Sequence, residues 1–209
     1  MQSNLDLIMR CEILAKSVEM FMNYGFKSVT MDDIAMKMGI SKKTIYTHFK
    51  NKTKLIEAAT MSLFDFISHG IGCICEYKKN PIEELYAIKN FVLENVKDEK
   101  SSSHYQLQKY YPNIFRTLKS KQLELMQSCV VENLNRGIEL DLYRKEIDLN
   151  FISRIYFSGL LGIKDEDTFP RESFKQKYLS DTYLNYHIRA IATKKGIKTL
   201  EKVLQNNEK

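Results

Sequence analysis

Between Gly39 and Leu55 the chain reads GISKKTIYTHFKNKTKL, a stretch with five lysines, the two aromatics Tyr46 and Phe49, and no acid. Ammonium groups pair with phosphates, and threonine or tyrosine hydroxyls reach phosphate oxygens or base edges. That is the chemistry of nucleic-acid contact, although a lysine run is also a common solvated face. The distribution of charge decides between the two. Lys37, Lys42, Lys43, Lys50, Lys52 and Lys54 lie between Ile34 and Ile56 with no Asp or Glu among them. The whole chain carries 32 Lys and Arg against 26 Asp and Glu, so these six account for the entire formal excess of +6. A solvated face mixes signs. This one does not, which favours a polyanionic partner.

Short helices must position these groups. Leu14, Val18, Phe21 and Met22 form an apolar stripe on a first helix that Gly25 ends. Thr30 opens a second helix with Asp33 in the capping-box position, an inner face of Ile34, Ala35 and Met38, and Gly39 as its stop. Ser41 caps a third helix whose buried face is Ile45 and Phe49, four residues apart. Lys43, Thr44 and Thr47 must then face outward, with Tyr46 at the edge of that face. A helix about 10–12 Å across with such a face fits the major groove of B-DNA. Asn51 caps a fourth helix through Leu55, Ala59 and Leu63. Gly39 supplies the positive φ that the intervening turn needs, so the second and third helices form a helix-turn-helix candidate.

Residues 10 to 60 resemble the N-terminal domain of TetR-family transcriptional regulators. The resemblance is carried by EILAKSVEMFMNYGF, by Thr30 with DDIAMKMGIS, and by KKTIYTHFKNKTKLIEAA. It implies a homodimeric, ligand-responsive DNA-binding protein, most often a repressor. It also implies Thr30 and Lys52 as phosphate contacts flanking the reading helix, with Lys43, Thr44, Tyr46 and Thr47 in the groove and His48 on the backbone. Ser41, Lys42 and Lys50 complete the expected DNA-contacting set. A second lysine beside Lys42 departs from the family pattern, in which the position of Lys43 is often small or neutral. The expected division is a reading domain over residues 1–54 and an effector-binding and dimerisation domain over 55–209.

The rest of the chain reads as helical too. Pro81 opens a fifth helix, Pro112 separates a short helix from one running to about Gly137, and Asp148 caps LNFISRIYFSGLLGI. After the linker KDEDTFP, a long helix is predicted over roughly 171–193, followed by a short amphipathic piece. With only 3 Pro and 8 Gly and no sustained alternation, the fold class is all-α. By analogy with the family, Phe64, Tyr86, Phe91, Tyr105, Tyr110, Tyr111 and Phe115 are candidates to line an effector pocket, though aromatics at helical spacing more often form core. Ser158, Gly159 and Gly162 on one helix, with Leu179, Tyr183, Tyr186 and Ala190 on the next, are candidates for a dimer interface.

Several function classes are disfavoured. The N-terminus MQSNLDLIMR lacks the pattern of a secretory leader. The apolar stretch AATMSLFDFISHGIGCICEY is interrupted by Asp65 and His69 and reads as a buried helix rather than a membrane span. Cys11, Cys73, Cys75 and Cys129 form no disulfide framework, which suits a cytoplasmic protein. His69 and Cys73 share a helix face while Cys75 turns away, so neither a metal nor any other cofactor is expected. No nucleophile–base arrangement or phosphate-binding glycine loop is recognisable, which argues against an enzyme. A helical protein-interaction adaptor with a basic hairpin and no specific DNA target is the alternative.

Overall fold

The computed structural model describes residues 2–96 and 103–207, all helices and connecting turns, with no strand among the described residues. Ten helices follow in order: α1 Gln2–Tyr24, α2 Met31–Met38, α3 Lys42–His48, α4 Lys52–Glu76, α5 Pro81–Asn95, α6 Ser103–Tyr110, α7 Pro112–Glu139, α8 Leu149–Gly162, α9 Gln176–Ile191 and α10 Lys194–Asn207. They form two compact units, one from residues 1–67 and 96–119, the other from 68–95 and 120–209. The long helices α4 and α7 each contribute to both.

The first unit is built on Ile13, Phe21, Ile34, Ile45, Leu55 and Ile56, all removed from solvent. On α1 the most buried positions are Ile13, Ser17, Met20 and Phe21, while Leu14, Val18 and Met22 are half-buried. The core face is therefore rotated from the stripe that apolarity alone suggests. Ser17 can join it because its hydroxyl donates to the Ile13 carbonyl at 2.7 Å, leaving no unpaired donor. Leu107 of α6 and Ile114 of α7 close the same core. Nothing local in their sequence announces this.

The second unit buries Ile82, Leu134, Leu142, Tyr143, Leu184, Ile188 and Leu200. A polar network runs through it. Glu84, only 1% exposed, is paired by Arg136. Asn133 donates to Glu84 at 2.8 Å and to the Pro81 carbonyl at 2.9 Å. The Tyr143 hydroxyl donates to Asn133 at 3.2 Å. A buried carboxylate is tolerated only when so paired.

Three elements differ from the sequence reading. α9 begins at Gln176, because the preceding residues form turns in which the Pro170 carbonyl accepts from the Ser173 and Phe174 amides at 3.0 and 2.9 Å. The C-terminal piece is a full helix of 14 residues, capped by the Thr193 hydroxyl accepting from Gly196 at 3.0 Å and anchored by buried Leu200 and Val203. α4 is less buried than its composition suggests. Leu55, Ile56, Ala59 and Ile71 are covered, but Phe66 is exposed, since each unit takes only one stripe of this helix.

His187 on α9 is 6% exposed, its ring 4.5 Å from that of Tyr156 and 6.2 Å from that of Tyr183. Burial pushes its imidazole down to about 4 from an ordinary 6.5. The folded chain thus keeps the ring neutral where the unfolded chain protonates it. Stability from this site is complete above about pH 6.5 and falls as pH drops towards 4, by up to about 3 kcal/mol. Denaturant midpoints across that window should show the decline in the wild type, with a shallower one in His187→Gln.

Candidate nucleic-acid interface

The site begins with backbone geometry. Thr30 stands before α2 with its hydroxyl accepting from the Asp33 amide at 3.1 Å, while the Asp33 carboxylate accepts from the Thr30 amide at 2.8 Å and hydroxyl at 2.7 Å. These bonds, the backbone one foremost, hold the Asp33 carboxyl below the usual range. Gly39 ends α2 at φ +66° with nothing within 4 Å of where a Cβ would sit, so the left-handed backbone rather than space favours glycine here. Ser41 then caps α3 by accepting from the Thr44 amide at 3.0 Å, and its hydroxyl shares a 2.8 Å hydrogen bond with that of Thr44.

Burial orients α3. Ile45 is 0% and Phe49 3% exposed, and Arg10 of α1 lays its guanidinium 4.9 Å over the Phe49 ring. Ser41, Lys42, Lys43, Tyr46, Thr47 and Lys50 are exposed, and Thr44 and His48 half-buried. Lys42 pairs with Asp32 of α2 at 2.6 Å, and this hydrogen bond raises its ammonium above the usual value. Lys52 is half-buried and donates to the Lys27 carbonyl at 3.2 Å, tying the start of α4 to the loop before α2. Desolvation lowers its ammonium, and nearby Asp33 opposes that shift.

One feature escapes sequence inspection. The first turns of α1 border the reading helix: Leu5, Asp6 and Met9 face Ser41, Lys43, Thr44, Thr47 and His48 across a cleft of about 670 Å³. A helix unbroken upstream of Arg10 was the available signal, but its packing partner is forty residues away in the chain, on the order of a whole helix-turn-helix motif.

The aromatic candidates do not lie together in one unit. Phe64, Tyr105, Tyr110, Tyr111 and Phe115 belong to the first and Tyr86 and Phe91 to the second. Tyr111 and Phe115 pack against the first core. Tyr105 accepts from Lys109 at 2.8 Å, and Tyr110 is exposed beneath the ammonium groups of Lys27 and Lys109. Tyr86 is buried, its hydroxyl has no hydrogen-bond partner among the described residues, and burial pushes it up to about 12. Phe91 fills the space beside Gly70.

On α8, Ser158 and Gly162 are exposed, whereas Gly159 is covered by the Tyr183 ring, which lies 2.1 Å from where a Cβ would be. Tyr186 and Ala190 of α9 are exposed. Leu179 is buried, and Tyr183 turns inward, its hydroxyl hydrogen shared between the Ile155 and Tyr156 carbonyls at 3.1 and 3.0 Å.

Two short capped helices, one presenting a basic outer face, define a helix-turn-helix DNA-binding protein. Residues 13–59 match the bacterial regulatory proteins of the tetR family. The HTH-type transcriptional repressor KstR2 of Mycobacterium tuberculosis is 24% identical over 152 residues, 69% of this chain and 74% of that one. The biofilm operon icaADBC HTH-type negative transcriptional regulator IcaR of Staphylococcus aureus is 22% identical over 174 residues, 81% and 87% of the two chains. A solved TetR-family regulator from Agrobacterium tumefaciens shares the fold at TM-score 0.71 and 14% identity, covering 90% of this chain and 100% of that one. Residues 13–59 thus carry the DNA-binding segment of the tetR family, and the chain has the fold of TetR-family transcriptional regulators.

Three substitutions separate the roles on α3 and just beyond its C-cap, Phe49. Ile45→Ala should destabilise the first unit by roughly 2–5 kcal/mol, because it empties a filled core site. Lys43→Ala should leave folding intact and change base preference by about 1–3 kcal/mol. Lys50→Ala should weaken all sequences alike and lower the log–log salt slope by about one unit per reading head. Thermal melts and salt-dependent DNA titrations check all three.

Proposed function

We propose that the protein is a homodimeric repressor that binds an inverted-repeat operator in double-stranded DNA and leaves it when a small-molecule effector binds. Residues 1–54 serve as the reading head and 55–209 as the sensing and pairing part, at work in the cytoplasm. The observation that carries this reading is the orientation of α3: Ile45 and Phe49 inward, Lys42, Lys43, Tyr46, Thr47 and Lys50 outward. Thr44 and His48 flank that face. Thr30 and Ser41 contribute as caps that present backbone and hydroxyl groups at the helix starts, and Lys52 sits beside the phosphate path. Repression, rather than activation, is supported by the names of KstR2 and IcaR.

One helix of 7 residues reads only a few base pairs, so useful specificity calls for two. Exposure supports a pairing surface on α8 and α9. Phe151 is 62%, Tyr178 59% and Tyr186 70% exposed, and Ile155 is exposed as well. Phe151, Ile155, Ser158 and Gly162 recur at helical spacing on α8, and Tyr178, Thr182, Tyr186 and Ala190 share a side of α9. Such aromatics are suited to an interface core. Tyr183 and Gly159 support that face from behind by locking α8 to α9, and Leu179 is buried behind it. The effector reading is supported in the second unit by Tyr86, whose buried hydroxyl has no hydrogen-bond partner among the described residues and could serve a ligand. The effector must bind the released form more tightly than the DNA-bound one.

Selection from a randomised duplex pool should return an inverted repeat with half-sites about one helical turn apart, near 34–36 Å. Tyr186→Glu combined with Phe151→Glu should sediment as a monomer with unchanged helix content and lose at least about tenfold in operator affinity. A pool without consensus, or a wild-type monomer of full affinity, contradicts the proposal.

A further inference from the structure

The turns of α1 ahead of Arg10 contain no Lys or Arg, so they are not a basic arm for gripping phosphates. They nevertheless form one wall of the cleft whose other wall, Ser41, Lys43, Thr44, Thr47 and His48, belongs to the reading helix and its cap. Asp6 is the acid in that lining. Its carboxylate lies 3.7 Å from Nδ1 of His48, and its side chain is 67% exposed against 5% for that of His48. This separation exceeds a hydrogen bond to a neutral ring, and becomes an ion pair once the imidazole is protonated.

We propose that Asp6 is a positioning residue for operator binding: it holds His48 as an imidazolium against a DNA phosphate, so that complex formation takes up a proton. This rests on the reading that α3 and His48 face DNA. Asp6 of α1 faces the ring at 3.7 Å, Lys43 of α3 lines the same cleft, and Arg10 of α1 lies over the neighbouring Phe49 ring. Asp6 offsets the positive charge that Lys43 brings to the cleft. When a phosphodiester enters, the ring lies between two anions. A ring so placed binds better charged than neutral. The buried side of His48 keeps it from escaping that position, and the exposed carboxylate of Asp6 can adjust to it. Asp6 also repels phosphates that do not engage His48, which penalises misregistered complexes.

The test uses the full chain and the duplex that the wild type selects from a randomised pool. Calorimetry in two buffers of different ionisation heat counts protons taken up, and affinity is measured between pH 8 and pH 6. The wild type should take up protons and tighten by roughly two- to fivefold per half-site as pH falls, the range for a partly exposed ion pair. Asp6→Asn, at an exposed position, should fold normally but lose most of that uptake and pH slope, and Asp6→Glu should restore both. His48→Gln should show neither. Uniformly weaker binding by Asp6→Asn with an unchanged pH slope would mean a merely structural role and overturn the proposal, as would a His48→Gln protein that still takes up the proton. A wild type that selects a consensus but binds it independently of pH overturns this inference alone. A wild type that selects no sequence removes the DNA-reading assignment and this inference with it.

Discussion

The inward burial of Ile45 and Phe49 is the constraint on which the reading head depends. A helix of 7 residues has little stability of its own, because nucleation consumes more order than so few hydrogen bonds return. It persists because Ser41 and Gly39 satisfy the ends around the turn and because two apolar side chains, four residues apart, are driven into the same core as Ile34 and Leu55. Once those two directions are set, helical geometry sends every lysine and threonine between them outward. The basic face is a consequence of packing, and its chemistry follows from what the core leaves over.

The cations of that face are not all equivalent. Lys42 is already paired with Asp32 at the surface, and such pairs are worth little in water, so exchanging the carboxylate for a phosphate is inexpensive. Lys52 is different. Half-buried and donating to the Lys27 carbonyl, it joins the start of α4 to the loop that leads into α2 and thereby braces the helix-turn-helix from below. One residue type is thus paired at the surface at one position and serves for alignment at another. Thr30 shows the same duality, since its hydroxyl is engaged with Asp33 in holding the start of α2.

The second unit is organised by a different principle. Glu84, Arg136, Asn133 and Tyr143 form a buried network that fixes how α5 and α7 meet, while Tyr183 on Gly159 fixes α8 against α9. With those contacts made inside, the remaining large side chains of α8 and α9 stay at the surface. Phe151, Tyr178 and Tyr186 are exposed because the intramolecular positions are already filled, and the pairing role proposed for α8 and α9 uses what is left open.

What the sequence determined by itself was local. Caps at Thr30, Ser41, Asn51 and Asp148, the stop at Gly39, the inward pair Ile45 and Phe49, and the segregation of six lysines all depend on residues within a turn or two of one another. That made the all-α class and the outward direction of the basic face legible in the sequence. Tertiary structure decided whatever depends on partners distant in the chain. Between two helical stripes of similar apolarity, only the neighbours decide which is covered. That is why α1 turns Ile13, Ser17 and Phe21 to the core, why Leu179 and Tyr183 lie inside while Tyr186 lies outside, and why the C-terminal segment becomes a complete helix over Leu142 and Tyr143. It is also why Asp6 stands beside His48, a proximity that no spacing along the chain encodes.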